Sequence, residues 1–194
     1  MSRFARSRGK IQLHLDSTEF EVFSHSVNEL LDLLDDGSEA EPLDEDDPFA
    51  AWEASFGAEP GIEDDFDEDE RDPVMQRLFP RAYPDDPEAA SDFARFTDAS
   101  QRQDKVTAAC MVLDDLDELR GGTVRIRDDH VDAWLKTLNN LRLVLSVMLG
   151  ISDEISASEA AERPEEDPRS WLFTYYGWLG WMLESLLEAV MAPE

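Results

Sequence analysis

The sequence is short of cysteine, of cationic side chains and of long apolar runs, and each shortage excludes something. Its one cysteine, Cys110, rules out an intrachain disulfide and a multi-cysteine zinc site, and fits a reducing compartment. Lys and Arg number 17 against 46 Asp and Glu, a net charge of −29 over 194 residues. A field of that sign repels phosphate backbones, so direct nucleic-acid binding through a basic surface is not expected. No apolar stretch reaches the roughly 20 residues that span a bilayer. The opening MSRFARSRGK has no hydrophobic signal core after its basic residues, so a soluble, cytoplasmic protein without membrane contact is expected. The three histidines, His14, His25 and His130, have no second His or Cys at metal-ligand spacing and read as surface or boundary residues. Asp65, Asp67 and Asp69 begin like a calcium loop, but Glu70 stands where Gly is needed and Gln76 where a bidentate Glu is needed. No glycine-rich phosphate loop follows a strand, and there is no nucleophile elbow. The sequence therefore gives no catalytic residue, no cofactor site and no metal site.

What is abundant is acid, and it is concentrated. Residues 36–72 hold 17 acids and one base, Arg71, a net −16. Blocks such as Asp44-Glu45-Asp46-Asp47 repel themselves and bury too little apolar surface to offset chain ordering. The expected organisation is a strand–helix unit over 1–35, an acidic disordered insertion over 36–72, and the helical remainder of the same domain over 73–194. Inside the insertion Phe49, Trp52 and Phe56 are spaced i, i+3, i+7, between Pro48 at a helix start and Gly57 at a helix stop. They are the candidate partner-binding residues, and three readings are open: docking on another protein, docking back on their own domain, or staying without structure.

Elsewhere the pattern is mainly helical, an α+β class: a helical bundle with a small two-stranded β ribbon. Lys10–Leu15 and Gly122–Arg127 alternate polar and apolar, as half-buried strands do. Ile11, Leu13, Leu15, Val124 and Ile126 would share one face, in an antiparallel pair by preference. Asp16 with Glu19 opens an amphipathic helix carrying Phe20, Phe23, Val27, Leu30, Leu31 and Leu34. After a proline-rich connector at 77–87, helices are expected at 87–96, 98–119 and 129–149, the last stopped by Gly150. A polar linker over 152–167 precedes a final helix over 168–190.

That final helix runs from Trp171 to Leu183 without a formal charge, so it belongs either at the centre of the bundle or at a homodimer interface. Gly177 and Gly180 inside it suggest a close backbone neighbour. Cys110 falls in register with Val106 and Leu113 and reads as a buried small hydrophobe; a redox role is the other reading. Arg3, Arg6, Arg8 and Lys10 form a basic arm around Phe4, positioned to meet the chain's own acidic segment.

The strings RLFPRAYPDDPEAASDFARFT (77–97), LKTLNNLRLVLSVMLGI (135–151) and YYGWLGWMLESLLEA (175–189) together resemble an actinobacterial family of unknown function. That family is often encoded beside the ClpS adaptor and includes the oxidative-stress-sensing transcriptional regulator AosR. The resemblance implies a largely helical cytoplasmic protein that works with a sigma factor. Sensing through an intramolecular cysteine pair is where this sequence departs, because Cys110 is alone. Two functions are weighed. One is a non-enzymatic regulator acting through protein–protein contacts, its acidic segment complementing basic surfaces of a sigma factor or RNA polymerase. The alternative is a small-molecule or hydrolytic protein with an aromatic pocket in the C-terminal helices, lined by Tyr175, Tyr176 and Trp178 with Glu184 as the convergent carboxylate.

Overall fold

The computed structural model describes residues 2–7, 9–35, 72–83, 86–118, 122–164, 166–167 and 169–192. Three antiparallel strands, β1 (Phe4–Ser7), β2 (Lys10–His14) and β3 (Thr123–Ile126), form a sheet in that order. The expected ribbon is its β2–β3 half, with Ile11 opposite Ile126 and Leu13 opposite Val124. The added strand is the basic arm. Phe4, 3% exposed, faces Leu13, and Gly9 turns the hairpin at φ +75°, a conformation that suits glycine. One buried aromatic among arginines carries too little alternation to announce a strand.

Helix α1 (Ser17–Leu34) begins as expected. Asp16 accepts from Glu19 N and the Glu19 side chain returns to Asp16 N, which satisfies two orphan donors at once. Phe23, Val27, Leu30 and Leu34 are buried along it. Helix α2 (Pro73–Leu78) is capped by Asp72, whose side chain accepts from Val74 N at 3.0 Å. Asp72 is thus a helix cap, and the remainder of the acidic segment, 36–71, lies outside the described residues.

Helix α3 (Pro87–Asp117) is one helix of 31 residues where two were expected. After Pro87 no glycine or proline occurs before Gly121, so nothing in the chain breaks it near Thr97. A single 3-10 turn, Asp128–His130, leads into α4 (Val131–Leu149), which stops at Gly150 in the left-handed region, φ +70°. Helix α5 (Glu154–Ala161) replaces part of the expected linker: Asp153 and Ser156 exchange capping hydrogen bonds. Its one buried residue is Ala160 and its one large apolar side chain, Ile155, is 73% exposed, so hydrophobic periodicity is silent there. Helix α6 (Arg169–Met191) closes the fold.

Helix α4 is the spine. It packs against α6, α3, α2 and α1, and Trp134, fully buried, sits among Phe4 at 5.3 Å and Phe23 at 5.6 Å between ring centroids. Helix α6 buries Leu172, Tyr175, Leu179, Met182 and Leu186, so that stripe is core. No backbone crowds its glycines. Among the described residues, a Cβ on Gly177 would meet nothing within 4 Å, and the nearest atoms to one on Gly180 would be those of the Arg142 guanidinium at 3.5 Å. The expectation of a close backbone neighbour is corrected accordingly. No helix among the described residues is long and apolar enough to cross a membrane.

Candidate functional site

Three features of the described surface and interior hold chemistry. The first is a buried polar cluster. Asp115 on α3 is 1% exposed and accepts from Trp134 Nε1 through Oδ2 at 2.8 Å. His130 Nδ1 stands 3.1 Å from the other oxygen, Oδ1, and Arg127 Nε 3.8 Å from it. Oδ1 has close cationic or imidazole neighbours but no well-angled hydrogen bond, so it is held by charge more than by direction. Arg127 Nη2 lies 2.5 Å from His130 Nε2. A guanidinium can only donate, so the imidazole nitrogen beside Arg127 is the acceptor of that pair, while Nδ1 faces Asp115. His130 is 4% exposed, which corrects its reading as a surface or boundary residue: the 3-10 turn swings the ring inward beneath α3. The cluster locks β3, α3 and α4 together, and its chemistry is structural.

The second feature is an aromatic groove between the first turns of α1 and the N-terminal half of α6. Thr18, Glu19, Val22, Ser170, Trp171, Thr174, Tyr175 and Trp178 line a cleft of about 590 Å³. The Tyr175 and Trp178 rings stack at 5.6 Å and 17°. Tyr175 donates to Ser26 Oγ at 2.8 Å, and burial pushes its phenol well above the usual range. Trp178 Nε1 is buried without an acceptor among the described residues. The pocket expected from Tyr175, Tyr176, Trp178 and Glu184 is thus redrawn. Tyr176 lies under the Arg142 guanidinium, 4.7 Å from ring centroid to Cζ, and Glu184 is exposed and outside the groove lining. The missing partner was α1, whose Val22 could not be assigned to that cleft from spacing within α6.

The third feature is the outer face of the sheet. The register puts Ala5, Gln12 and Arg125 in one row and Ser7 and Lys10 in the next, with His14 beside Thr123. Arg3, Lys10, His14 and Arg125 are exposed, and Arg127 follows β3 with half its side chain in solvent. Ser7, Lys10, Gln12, Arg125 and Arg127 border a shallow cleft of about 590 Å³ that includes one acid, Glu118. Arg6 is not on this face. It turns inward, its Nε donating to Ala189 O at 3.1 Å at the end of α6.

Cys110 is exposed, which overturns the buried reading. The buried stripe of α3 runs through Ala108, Ala109, Val112 and Leu116, while Val106 and Leu113 are only half-buried, so the thiol sits on the rim of the stripe and faces water. The candidate partner-binding residues Phe49, Trp52 and Phe56 lie outside the described residues. Among the described residues no group of three His, Cys, Asp or Glu is placed to hold a metal ion.

These features define a mainly helical α+β domain with an aromatic groove and a cationic sheet face. Residues 1–190 match the family described as a domain of unknown function, DUF2017, and the chain belongs to that family. A Mycobacterium leprae protein carrying the name AosR is 31% identical over 187 residues, covering 90% of this chain and 79% of its own length. The Mycobacterium tuberculosis protein named oxidative stress regulator AosR is 27% identical over 186 residues, covering 89% of this chain and 78% of its own. No solved structure matches the chain.

Proposed function

We propose that this protein is a non-enzymatic regulator of the oxidative stress response, acting through protein–protein contacts, with a sigma factor or RNA polymerase as its partner. The observation that carries the reading is similarity along about nine-tenths of the chain to proteins named oxidative stress regulators. Two properties of the molecule support it. The acidic segment suits the basic surfaces that proteins engaging DNA present, and Phe49, Trp52 and Phe56 supply aromatic anchors of the kind that dominate interface energetics.

The test is a titration of the full chain against purified RNA polymerase holoenzyme, beside a variant lacking 36–71 and the variant Trp52→Ala. Loss of the segment should abolish binding. Trp52→Ala should weaken it by on the order of 2 kcal/mol, about thirtyfold, with the melting temperature unchanged. Equal affinity of all three proteins would refute the reading. A small-molecule function is favoured by one observation, the buried Trp178 Nε1 in the α1–α6 groove, which has no acceptor among the described residues. A ligand there would quench Trp171 and Trp178 fluorescence and raise the melting temperature.

A further inference from the structure

In a chain of net charge −29, the outer face of the sheet is a cationic exception. Arg3, Lys10 and Arg125 are exposed and make no ion pair among the described residues, and Arg127 adds a fourth cation whose near carboxylate, Asp115, is buried beneath it. Their row partners are Ala5, Ser7, Gln12, His14 and Thr123, so no acid stands on the strands' outer side. The acids at the border include Glu118, which lines the cleft, Asp128 and Asp129 in the turn after β3, and Glu19, whose carboxylate accepts from Ser2 next to Arg3. Unpaired exposed cations of one sign on one face attract a polyanion, and the local field there opposes the field of the rest of the molecule.

We infer that this face is the docking surface for the chain's own acidic segment, residues 36–71, held there by charge complementarity. The segment carries 16 acids and one base, a net −15. Its length suffices. It leaves the described fold at Asp35, one length of α1 from the sheet, and 18 helical residues span about 27 Å. Going out and back requires about 54 Å, whereas 36 residues reach up to about 119 Å when extended. Tethering also gives the segment an effective concentration on the order of millimolar at the face, so it prevails over a free acidic protein of ordinary abundance. The contact stands apart from the regulatory reading. Where both hold, a basic partner surface and this sheet face compete for the same acids, and partner binding frees the face.

The chain's lysines make the test direct. There are three, Lys10, Lys105 and Lys136, and Lys136 already pairs with Asp132 at 2.7 Å on its own helix. Zero-length carbodiimide cross-linking of the full chain at low salt, mapped by mass spectrometry, should join Lys10 to carboxylates within 36–71 of the same molecule. The Lys136–Asp132 link serves as the internal control. Raising sodium chloride to 0.5 M, which shrinks the screening length to about 4 Å, should lower the Lys10 yield at least fivefold and the control much less. The double variant Arg3→Glu/Arg125→Glu, both positions exposed, should lower it similarly, with folding checked by its circular dichroism melt. Appearance of the control link without any link from Lys10 to 36–71 would overturn the proposal. So would Lys10 links found only between two chains, which would assign the face to a second copy.

Discussion

Trp134 Nε1 donates to Asp115 Oδ2 at 2.8 Å, and both side chains are shut off from water, at 0% and 1% exposure. His130 and Arg127 stand around the other carboxylate oxygen, 3.1 and 3.8 Å away. Asp115→Ala would leave the indole N–H and the imidazole buried without their acceptor, and it should destabilise the fold by about 3 kcal/mol. Asp115→Asn keeps a carbonyl for the indole and should lose clearly less. Urea denaturation of the two variants checks the order; equal losses would show that the indole bond contributes little.

Tyr175 predicts a pH dependence. Its hydroxyl is buried against Ser26, and desolvation raises its folded-state pKa above the ordinary tyrosine value. The folded state therefore holds this proton after the unfolded chain has released it. Stability from this group is complete below about pH 10 and is lost as pH climbs from there toward the folded pKa. Tyr175→Phe should cost about 1 kcal/mol at neutral pH and should flatten the decline between pH 10 and 11. An unchanged alkaline slope in that variant would assign the decline to other groups.

The parts of this fold legible in the sequence are those set by neighbours along the chain. Asp16 with Glu19, Gly150 after Leu149, and the alternation of Ile11, Leu13, Val124 and Ile126 each state a local rule that packing obeys. Asp115, His130 and Trp134 obey no such rule. Their meeting requires α3, the 3-10 turn and α4 to be placed first, so nothing in their spacing marks a site. The groove was half legible for the same reason: Trp171, Tyr175 and Trp178 share one face of α6, while Val22 arrives from α1. In α3 the difficulty was phase. The apolar steps Val106, Ala109, Cys110, Leu113 and Leu116 span two adjacent phases, and the structure buries Ala109 and Leu116 together with Val112 while leaving Cys110 exposed.

Glycine positions separate space from backbone strain. Gly177 lies within α6 with nothing within 4 Å of a Cβ and no positive φ, so Gly177→Ala should stabilise by about 1 kcal/mol through helix propensity alone. Gly122 is the opposite case. It has φ +76°, and a Cβ would stand 2.9 Å from His14 Cε1 and 3.2 Å from Leu15 O, beside the hydrogen bond from Leu15 N to Gly122 O. The imidazole can move but the carbonyl cannot, so Gly122→Ala should destabilise by about 2 kcal/mol. Thermal melts of the pair should shift in opposite directions; a shift of the same sign would undo the argument.

Cys110 brings packing and reactivity to one measurement. It is the chain's only thiol and it faces solvent on α3. Removing it should leave no cavity, so Cys110→Ser should change stability by no more than about 0.5 kcal/mol, where a core thiol would cost several times that. Access predicts that an aromatic disulfide reagent modifies the native protein within about tenfold of its rate on the urea-unfolded chain. Both reagents need the thiolate, but dilute peroxide is much the slower electrophile and reacts quickly only where the site activates the thiolate. The positions one helical turn away are Val106, Thr107, Leu113 and Asp114, none of them cationic, so the helix offers a thiolate no partner. Native protein should therefore combine fast disulfide exchange with slow oxidation by dilute peroxide. With no second cysteine present, any oxidised product must be a sulfenic acid, a mixed disulfide or a bridge between chains. Mass spectrometry after both treatments decides the matter: slow labelling by the aromatic disulfide would return Cys110 to the core, and rapid peroxide oxidation with the fold intact would show that something beyond this helix activates it.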